Sequence, residues 1–77
     1  MTLDEFTRAL SPLFPQTPPD AFSPETDFKK LPEWSSLLAL SVIACVEDEF
    51  DILLSGDDIS KSQTVRELFA AALSRKS

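Results

Sequence analysis

The sequence contains no histidine and no tyrosine, and it has one cysteine and one glycine. Without histidine the commonest general base is missing, and Ser35 and Ser36 have no candidate activator. The lone Cys45 excludes an intramolecular disulfide, and no histidine or second cysteine is present to build a zinc site. Neighbouring acids at residues 47–49 could act as a catalytic carboxylate pair, but at a helix end they should be exposed. A chain of 77 residues also leaves little room for a substrate cleft. The residues therefore predict a protein that is not an enzyme and holds no metal.

Positive charge is also scarce, with seven Lys and Arg against thirteen Asp and Glu, for a net charge of −6. Such a surface repels phosphate backbones and anionic membranes, so nucleic-acid binding is not expected. Between residues 31 and 60 there is no Lys or Arg, whereas seven acids occur there: Glu33, Glu47, Asp48, Glu49, Asp51, Asp57 and Asp58. This acidic block has two interpretations, a docking surface for basic partners or a solvated face that only keeps a small protein in solution.

Long apolar runs are missing as well, and no stretch reaches the length needed to span a bilayer. The N-terminus carries Asp4 and Glu5 in place of a basic region before an apolar segment. We therefore expect a cytoplasmic monomer without membrane insertion. A chain of this length allows a single modest core, which predicts one domain over residues 1–77.

The six prolines all lie between Pro12 and Pro32, which places the irregular backbone in the first half of the chain. Before them, the Thr2-x-x-Glu5 pattern of a capping box predicts a helix from about Leu3. That helix should end near Ser11 or continue with a kink, because Pro12 donates no backbone hydrogen bond. A long ordered loop should follow over residues 14–34, anchored by apolar side chains: Phe22, Phe28, Leu31 and Trp34.

Residues 35–50 give the strongest helical pattern, with good helix formers, no Gly or Pro, and Ser35 suited to cap the helix. One stripe of this helix is apolar and should face the core: Ala39, Val42, Ile43, Val46 and Phe50. The flank beside it must face either another part of the core or a partner, and it contains Ser36, Leu37, Leu40 and Ala44.

The remaining segment predicts a short helical turn and a last helix. Gly56 is the expected place for a chain reversal or a positive φ, before a brief turn at residues 57–60. A second capping box, Thr64-x-x-Glu67, opens a helix whose apolar stripe is Val65, Leu68, Phe69 and Leu73. The fold class is therefore all-α, with three main helices, one short helix and a long loop after the first. The core residues expected from these patterns are Phe6, Leu10, Val42, Ile43, Val46, Phe50, Val65, Leu68 and Phe69.

Four short segments together resemble the acyl carrier proteins of fatty-acid and polyketide synthesis. They are Trp34-Ser35-Ser36-Leu37, Val46-Glu47-Asp48-Glu49-Phe50-Asp51, Gly56-Asp57-Asp58-Ile59 and Gln63-Thr64-Val65-Arg66-Glu67-Leu68. In that family an Asp-Ser-Leu signature opens the second helix, an acidic stretch ending in Phe closes it, and a Thr-Val pair opens the last. Without gaps, Ser36-Leu37 falls on the modified serine and its leucine, and Phe50 and Thr64-Val65 fall into the same register. The resemblance covers residues 28–73.

The resemblance implies an acyl-carrier-like four-helix bundle that carries 4′-phosphopantetheine covalently on Ser36. The arm would hold acyl intermediates as thioesters in fatty-acid, polyketide or related specialised biosynthesis. The implied partners are a phosphopantetheinyl transferase and acyl-loading and synthase enzymes with basic docking patches. The residues implied to bind these partners are Leu37, Leu40, Ala44, Glu47, Asp48, Asp57 and Asp58.

Two departures from the family pattern narrow this interpretation. Ser35 stands where the family usually has Asp, and Leu38 and Ser41 stand where typical fatty-acid carriers often have acids. Both changes favour a specialised, free-standing carrier of a dedicated pathway. Two alternatives stay open: an aminoacyl or peptidyl carrier, and an unmodified acidic interaction module of the same fold, in which Ser36 belongs only to a helix cap.

Overall fold

Four α-helices make up the regular structure in the computed structural model, which describes residues 1–76. Their bounds are Leu3–Leu10 (α1), Ser36–Phe50 (α2), Gly56–Lys61 (α3) and Val65–Lys76 (α4). Residues 1–76 contain no β-strand. The all-α class is therefore confirmed, as are three main helices, one short helix and a long loop after α1. Ser77, which the predicted domain includes, lies outside the described residues.

The start and the end of α1 follow from its local sequence. The hydroxyl of Thr2 accepts the amide of Glu5 at 3.1 Å, and the Glu5 carboxylate accepts the amide of Thr2 at 2.8 Å. This is the predicted capping box. The α-helix ends at Leu10, and Pro12 lies in a 3₁₀ turn over Ser11–Leu13, where its missing N–H costs less than it would inside an α-helix.

The segment between α1 and α2 is an ordered connection that contains two further 3₁₀ turns, Pro19–Ala21 and Phe28–Lys30. All four predicted anchors pack on the bundle: Phe22 and Phe28 are buried, whereas Leu31 and Trp34 are half-buried against the core. The connection is also tied to the last helix by its backbone. The amides of Val65 and Arg66 donate to loop carbonyls at 3.2 and 2.8 Å. These bonds satisfy two donors that a helix start leaves without intrahelical partners.

The core confirms most of the predicted interior and is larger than predicted. Six expected residues are fully enclosed: Phe6, Leu10, Val42, Val46, Val65 and Leu68. The other three are half-buried and pack against that core: Ile43, Phe50 and Phe69. The core also includes buried residues that the list of nine omitted: Phe14, Phe22, Phe28, Ile52, Leu54, Ile59 and Ala72. Most of these lie in loops and in α3, where no helical periodicity marks a buried position.

Two expectations about local geometry differ from the structure: a core-facing Leu73, and the positive φ that was one of two geometries expected at Gly56. Leu73 is 42% exposed, and Ala72 faces the core in its place, because Ala72 lies one helical turn beyond Leu68 on the same face of α4. Gly56 has no positive φ and begins α3. The left-handed residue is Asp51, with φ 57° and ψ 39°, which caps α2 with its amide donating to the Glu47 carbonyl at 2.9 Å. Asp tolerates this region better than most non-glycine residues.

Candidate functional site

Ser35 closes the start of α2 as its cap. Its backbone is extended, and its hydroxyl accepts the amide of Leu38 at 3.1 Å. Its carbonyl accepts the amide of Ala39 at 3.0 Å. The cap predicted from sequence is therefore confirmed, and the Ser35 side chain is engaged within the protein.

Ser36 differs from its neighbour because its side chain is exposed at the first position of α2. Its hydroxyl forms no hydrogen bond with any side chain or backbone group of residues 1–75. The amides of Ser36 and Leu37 have no intrahelical acceptor at this end of a helix, and no acid occurs in the first turn. The start of α2 thus offers an accessible hydroxyl beside two backbone donors and the positive end of the helix dipole.

Aromatic packing fixes the segment that leads into this serine. The ring of Trp34 stacks on Phe14 with centroids 6.3 Å apart, and it meets the edge of Phe28 at 5.3 Å. Both phenylalanines are buried. Because Trp34 directly precedes the cap, these contacts hold the start of α2 on the bundle while the next side chains project outward.

A cleft of about 400 Å³ lies beside Ser36, between α2 and α3. Apolar side chains form most of its lining, and a lysine and two serines complete it: Trp34, Ala39, Leu40, Ile43, Ile59, Lys29, Ser36 and Ser60, together with Gly56. Ser36 therefore lies at the edge of a mainly apolar depression.

The predicted partner-binding residues of α2 form one exposed strip along the helix. Leu37 and Leu40 are 74% and 63% exposed, and Ala44 is exposed one turn further on. Glu47 and Asp48 continue the strip at the other end, and neither pairs with a cation of residues 1–75. The strip is apolar next to Ser36 and acidic far from it.

The two predicted residues on α3 are placed differently. Asp57 is exposed and forms an ion pair with Lys61 at 3.0 Å. The Asp58 carboxylate is 15% exposed; it accepts the amide of Ser55 at 2.9 Å and pairs with Arg75 at 3.0 Å. The Ser55 amide, with Arg75 as a smaller contribution, holds the pKa of Asp58 below its usual value. Asp58 thus caps α3 and ties it to α4.

Cys45 shows none of the features of a reactive thiol. It is half-buried, and its thiol points to the carbonyl of Ala9 at 3.5 Å. Burial raises the pKa of this thiol, and the charges of Glu49 and Asp48 raise it further. Within the described part of the chain, no cluster of His, Cys, Asp and Glu could hold a metal ion.

One residue of the cleft was missed by the sequence analysis. Lys29 lies in the proline-rich connection, where the sequence has no periodicity that would assign it to a surface. Its ammonium donates to the carbonyls of Ile59 and Ser60 at 3.1 and 2.9 Å. These two residues lie 30 and 31 positions after Lys29 in the sequence. No local sequence pattern could have indicated such a contact.

A small helical bundle that presents an exposed serine at the start of its central helix, without a base to activate it, has the architecture of a carrier domain. The family model described as the phosphopantetheine attachment site matches residues 8–72, and the chain belongs to this family. The protein is therefore a carrier that holds 4′-phosphopantetheine covalently, and it is not itself an enzyme. Carrier domains of this kind interact with transferases and synthase enzymes.

Comparisons with curated proteins and with solved structures gave no match. None of the helices within residues 1–76 has the length and apolar character that crossing a bilayer requires.

Proposed function

We propose that the protein is an acyl carrier whose 4′-phosphopantetheine arm is attached to the hydroxyl oxygen of Ser36. The observation that carries this proposal is the contrast between two adjacent serines. Ser35 uses its hydroxyl to cap α2, whereas the hydroxyl of Ser36 is exposed and without a partner in residues 1–75.

The surroundings of Ser36 fit the phosphodiester of such an arm. An anion at this position would meet the amides of Ser36 and Leu37 and the positive end of the α2 dipole. Ser35 replaces the acid that usually precedes the modified serine, so no carboxylate of the first turn opposes that charge. When attached, the arm supplies a terminal thiol that holds cargo as a thioester.

Attachment requires only that Ser36 be reachable by a transferase. The Ser36 oxygen attacks the pantetheine-bearing phosphorus of coenzyme A, and the phosphoanhydride bond breaks. Adenosine 3′,5′-bisphosphate leaves, and the hydroxyl proton passes to a base of the transferase, because this chain has no histidine to accept it. The carrier contributes an accessible nucleophile on a rigid helix.

The lining of the adjacent cleft supports acyl cargo over an amino acid. Trp34, Leu40 and Ile43 present apolar surface there, and no acidic side chain lines the cleft to bind a free amino group. The pathway we propose is fatty-acid, polyketide or related specialised biosynthesis.

The exposed strip on α2 supports docking by partners of complementary chemistry. We propose that the loading transferase and the acyl-loading and synthase enzymes place an apolar contact on Leu37, Leu40 and Ala44. Basic groups of the same partners would face Glu47 and Asp48. Asp57 could add a further acidic contact by leaving Lys61 and pairing with a basic group of the partner. Its exposed ion pair with Lys61 contributes little stability, so this exchange costs little. The monomeric state and the cytoplasmic location stay predictions.

Intact-mass measurement after incubation with coenzyme A and a broad-specificity phosphopantetheinyl transferase tests the attachment site. We expect wild type to gain one phosphopantetheinyl group and Ser36→Ala to gain none. Ser35→Ala is the matched control: it should lose about 1 kcal/mol of stability with the cap and still be loaded. Loading of Ser36→Ala would contradict the proposal. No loading of wild type, by a transferase that loads a control carrier, would also contradict it.

A further inference from the structure

Lys29 differs from the other basic side chains in its partners. Residues 1–75 contain six Lys and Arg, and five of them form an ion pair with a carboxylate: Arg8, Lys30, Lys61, Arg66 and Arg75. Lys29 forms none with any carboxylate of this part of the chain. Its ammonium therefore has no carboxylate of residues 1–75 within ion-pair distance.

The ammonium of Lys29 has donor capacity beyond its present contacts. It donates to the carbonyls of Ile59 and Ser60 in the last turn of α3, where a cation is favoured by the helix dipole. An ammonium carries three donors, and residues 1–75 provide acceptors for two of them. One N–H is left for water or for a ligand.

The position of Lys29 brings this donor to the site of the proposed arm. Lys29 lines the same cleft as Ser36, and among residues 1–75 it is the only charged residue that lines it. Its side chain is half-buried, so material entering the cleft would remove water from the ammonium. Removing that water without replacing its hydrogen bond costs free energy, whereas an oxygen acceptor would replace it.

We propose that Lys29 determines which cargo the cleft accepts, favouring acyl groups with an oxygen acceptor beyond the thioester carbonyl over saturated chains of the same length. This rests on the proposed attachment at Ser36, which would deliver the cargo to the cleft at high effective concentration. A 3-oxo or 3-hydroxy group and a terminal carboxylate share the required chemistry. A saturated alkyl chain would remove water from the ammonium without providing a hydrogen-bond acceptor in its place.

The test uses full-length protein loaded at Ser36 from hexanoyl-, 3-oxohexanoyl-, 3-hydroxyhexanoyl- or succinyl-coenzyme A, with loading verified by intact mass. The rate of thioester cleavage by hydroxylamine is then compared between variants for each cargo. Lys29→Met removes the charge and keeps an unbranched side chain. Lys30→Met is the matched control, because Lys30 is 80% exposed and paired with Asp27.

For the oxygenated cargoes we expect cleavage at least about tenfold faster in Lys29→Met than in wild type, because one hydrogen bond to a charged group is lost. Hexanoyl cargo should be cleaved no faster in Lys29→Met, and Lys30→Met should match wild type throughout. Lys29→Arg should restore much of the protection. A response to succinyl alone would assign the selectivity to carboxylates, and a response to the 3-oxo and 3-hydroxy groups would assign it to neutral acceptors.

A second measurement in wild type does not depend on the variants folding. The backbone amide resonances of Ile59 and Ser60 should shift more with 3-oxohexanoyl than with hexanoyl cargo. Equal amide shifts with the two cargoes would overturn the proposal. Cleavage rates that are the same in wild type and Lys29→Met for both cargoes would also overturn it. Failure of the Ser36 loading step would instead appear in the mass spectrum and would overturn the attachment site as well.

Discussion

Adjacent side chains at the start of α2 lie in different environments. One of them caps the helix, and the next two are exposed to solvent. Ser35 bonds the helix, Ser36 is open to solvent, and Leu37 is 74% exposed although it is a large apolar residue. Exposed leucines on a domain this small contribute little to its folding. An exposed apolar side chain beside the proposed attachment position is typical of a surface that a partner covers.

Substitution of Leu37 tests whether a partner contacts this surface. Leu37→Ser should lower kcat/KM for transferase loading about tenfold, because an apolar contact next to the proposed attachment oxygen of Ser36 is lost. Its free energy of unfolding should change by less than about 0.5 kcal/mol, since the side chain is exposed. Leu53→Ser is the control, because Leu53 is 66% exposed but lies outside α2. Equal loss of loading in both variants would argue against a specific contact.

How well sequence predicted single residues depended on how local their partners are. Ser35 and Thr2 bond to amides three positions away, so their roles could be predicted from the sequence. Ser36 could be singled out only through the resemblance to a family, because no local sequence pattern marks a side chain that is exposed and has no partner. The contacts of Lys29 join distant parts of the chain, and only the folded structure brings them together.

At the level of elements, α3 is a six-residue helix held mainly by polar contacts at its two ends. Asp58 completes a capping box with Ser55 at the start, and Arg75 of α4 pairs with the same carboxylate. Lys29 bonds the carbonyls of the last turn. A single buried side chain, Ile59, joins the core. So short a helix would not persist alone, and its attachment to neighbours defines one wall of the cleft.

The lowered pKa of Asp58 makes the attachment of α3 dependent on pH. A carboxylate whose pKa is lower in the folded state stabilises the fold above its unfolded pKa, and this stabilisation is lost as pH falls through the folded value. We therefore expect Asp58→Asn to lower the free energy of unfolding by about 1–2 kcal/mol at pH 7, and by less at about pH 3, below the usual pKa of an aspartate.

Urea unfolding of wild type and Asp58→Asn at both pH values measures this difference. Asp57→Asn serves as the control, because its exposed ion pair with Lys61 should change stability by less than about 0.5 kcal/mol. A loss for Asp58→Asn that is equally large at both pH values would mean that packing, and not the charge, accounts for it.

The elements were predicted more accurately than the turns between them. The α2 boundaries follow from a cap, a run of helix formers and the absence of Gly and Pro, so they match the structure. Gly56 was the expected place for a chain reversal or a positive φ, because glycine adopts positive φ without a steric penalty. The chain instead turns at Asp51, since α2 ends there and its cap must be formed by whichever residue follows Phe50.

Over the whole molecule, excess negative charge is the dominant electrostatic feature. The net charge is −6 in 8.5 kDa, and α2 ends in three exposed acids with no basic residue in its last turn. Those acids lie at the negative end of the helix dipole, where they are unfavourable. The fold therefore tolerates electrostatic strain in the region where we propose that partners dock.

Salt should relieve this repulsion. We expect the melting temperature to rise by several degrees between low and moderate NaCl, because the acids are separated by distances that salt screens. Glu49→Gln should raise the melting temperature at low salt and have less effect at high salt. Thermal unfolding followed by circular dichroism over a NaCl series checks both. A melting temperature that falls with NaCl would mean that the ion pairs outweigh the repulsion.

The two hydrogen bonds between loop carbonyls and the first amides of α4 bear on how the chain assembles. The connection that follows α1 closes on a segment about forty positions later, so neither part is complete until the other has arrived. Contacts between parts of the chain so far apart carry a loop-closure cost and are expected to form late in folding. A proteolytic cut within the proline-rich connection should therefore loosen the start of α4 as well as the connection itself, because carbonyls of the connection accept the first two amides of that helix.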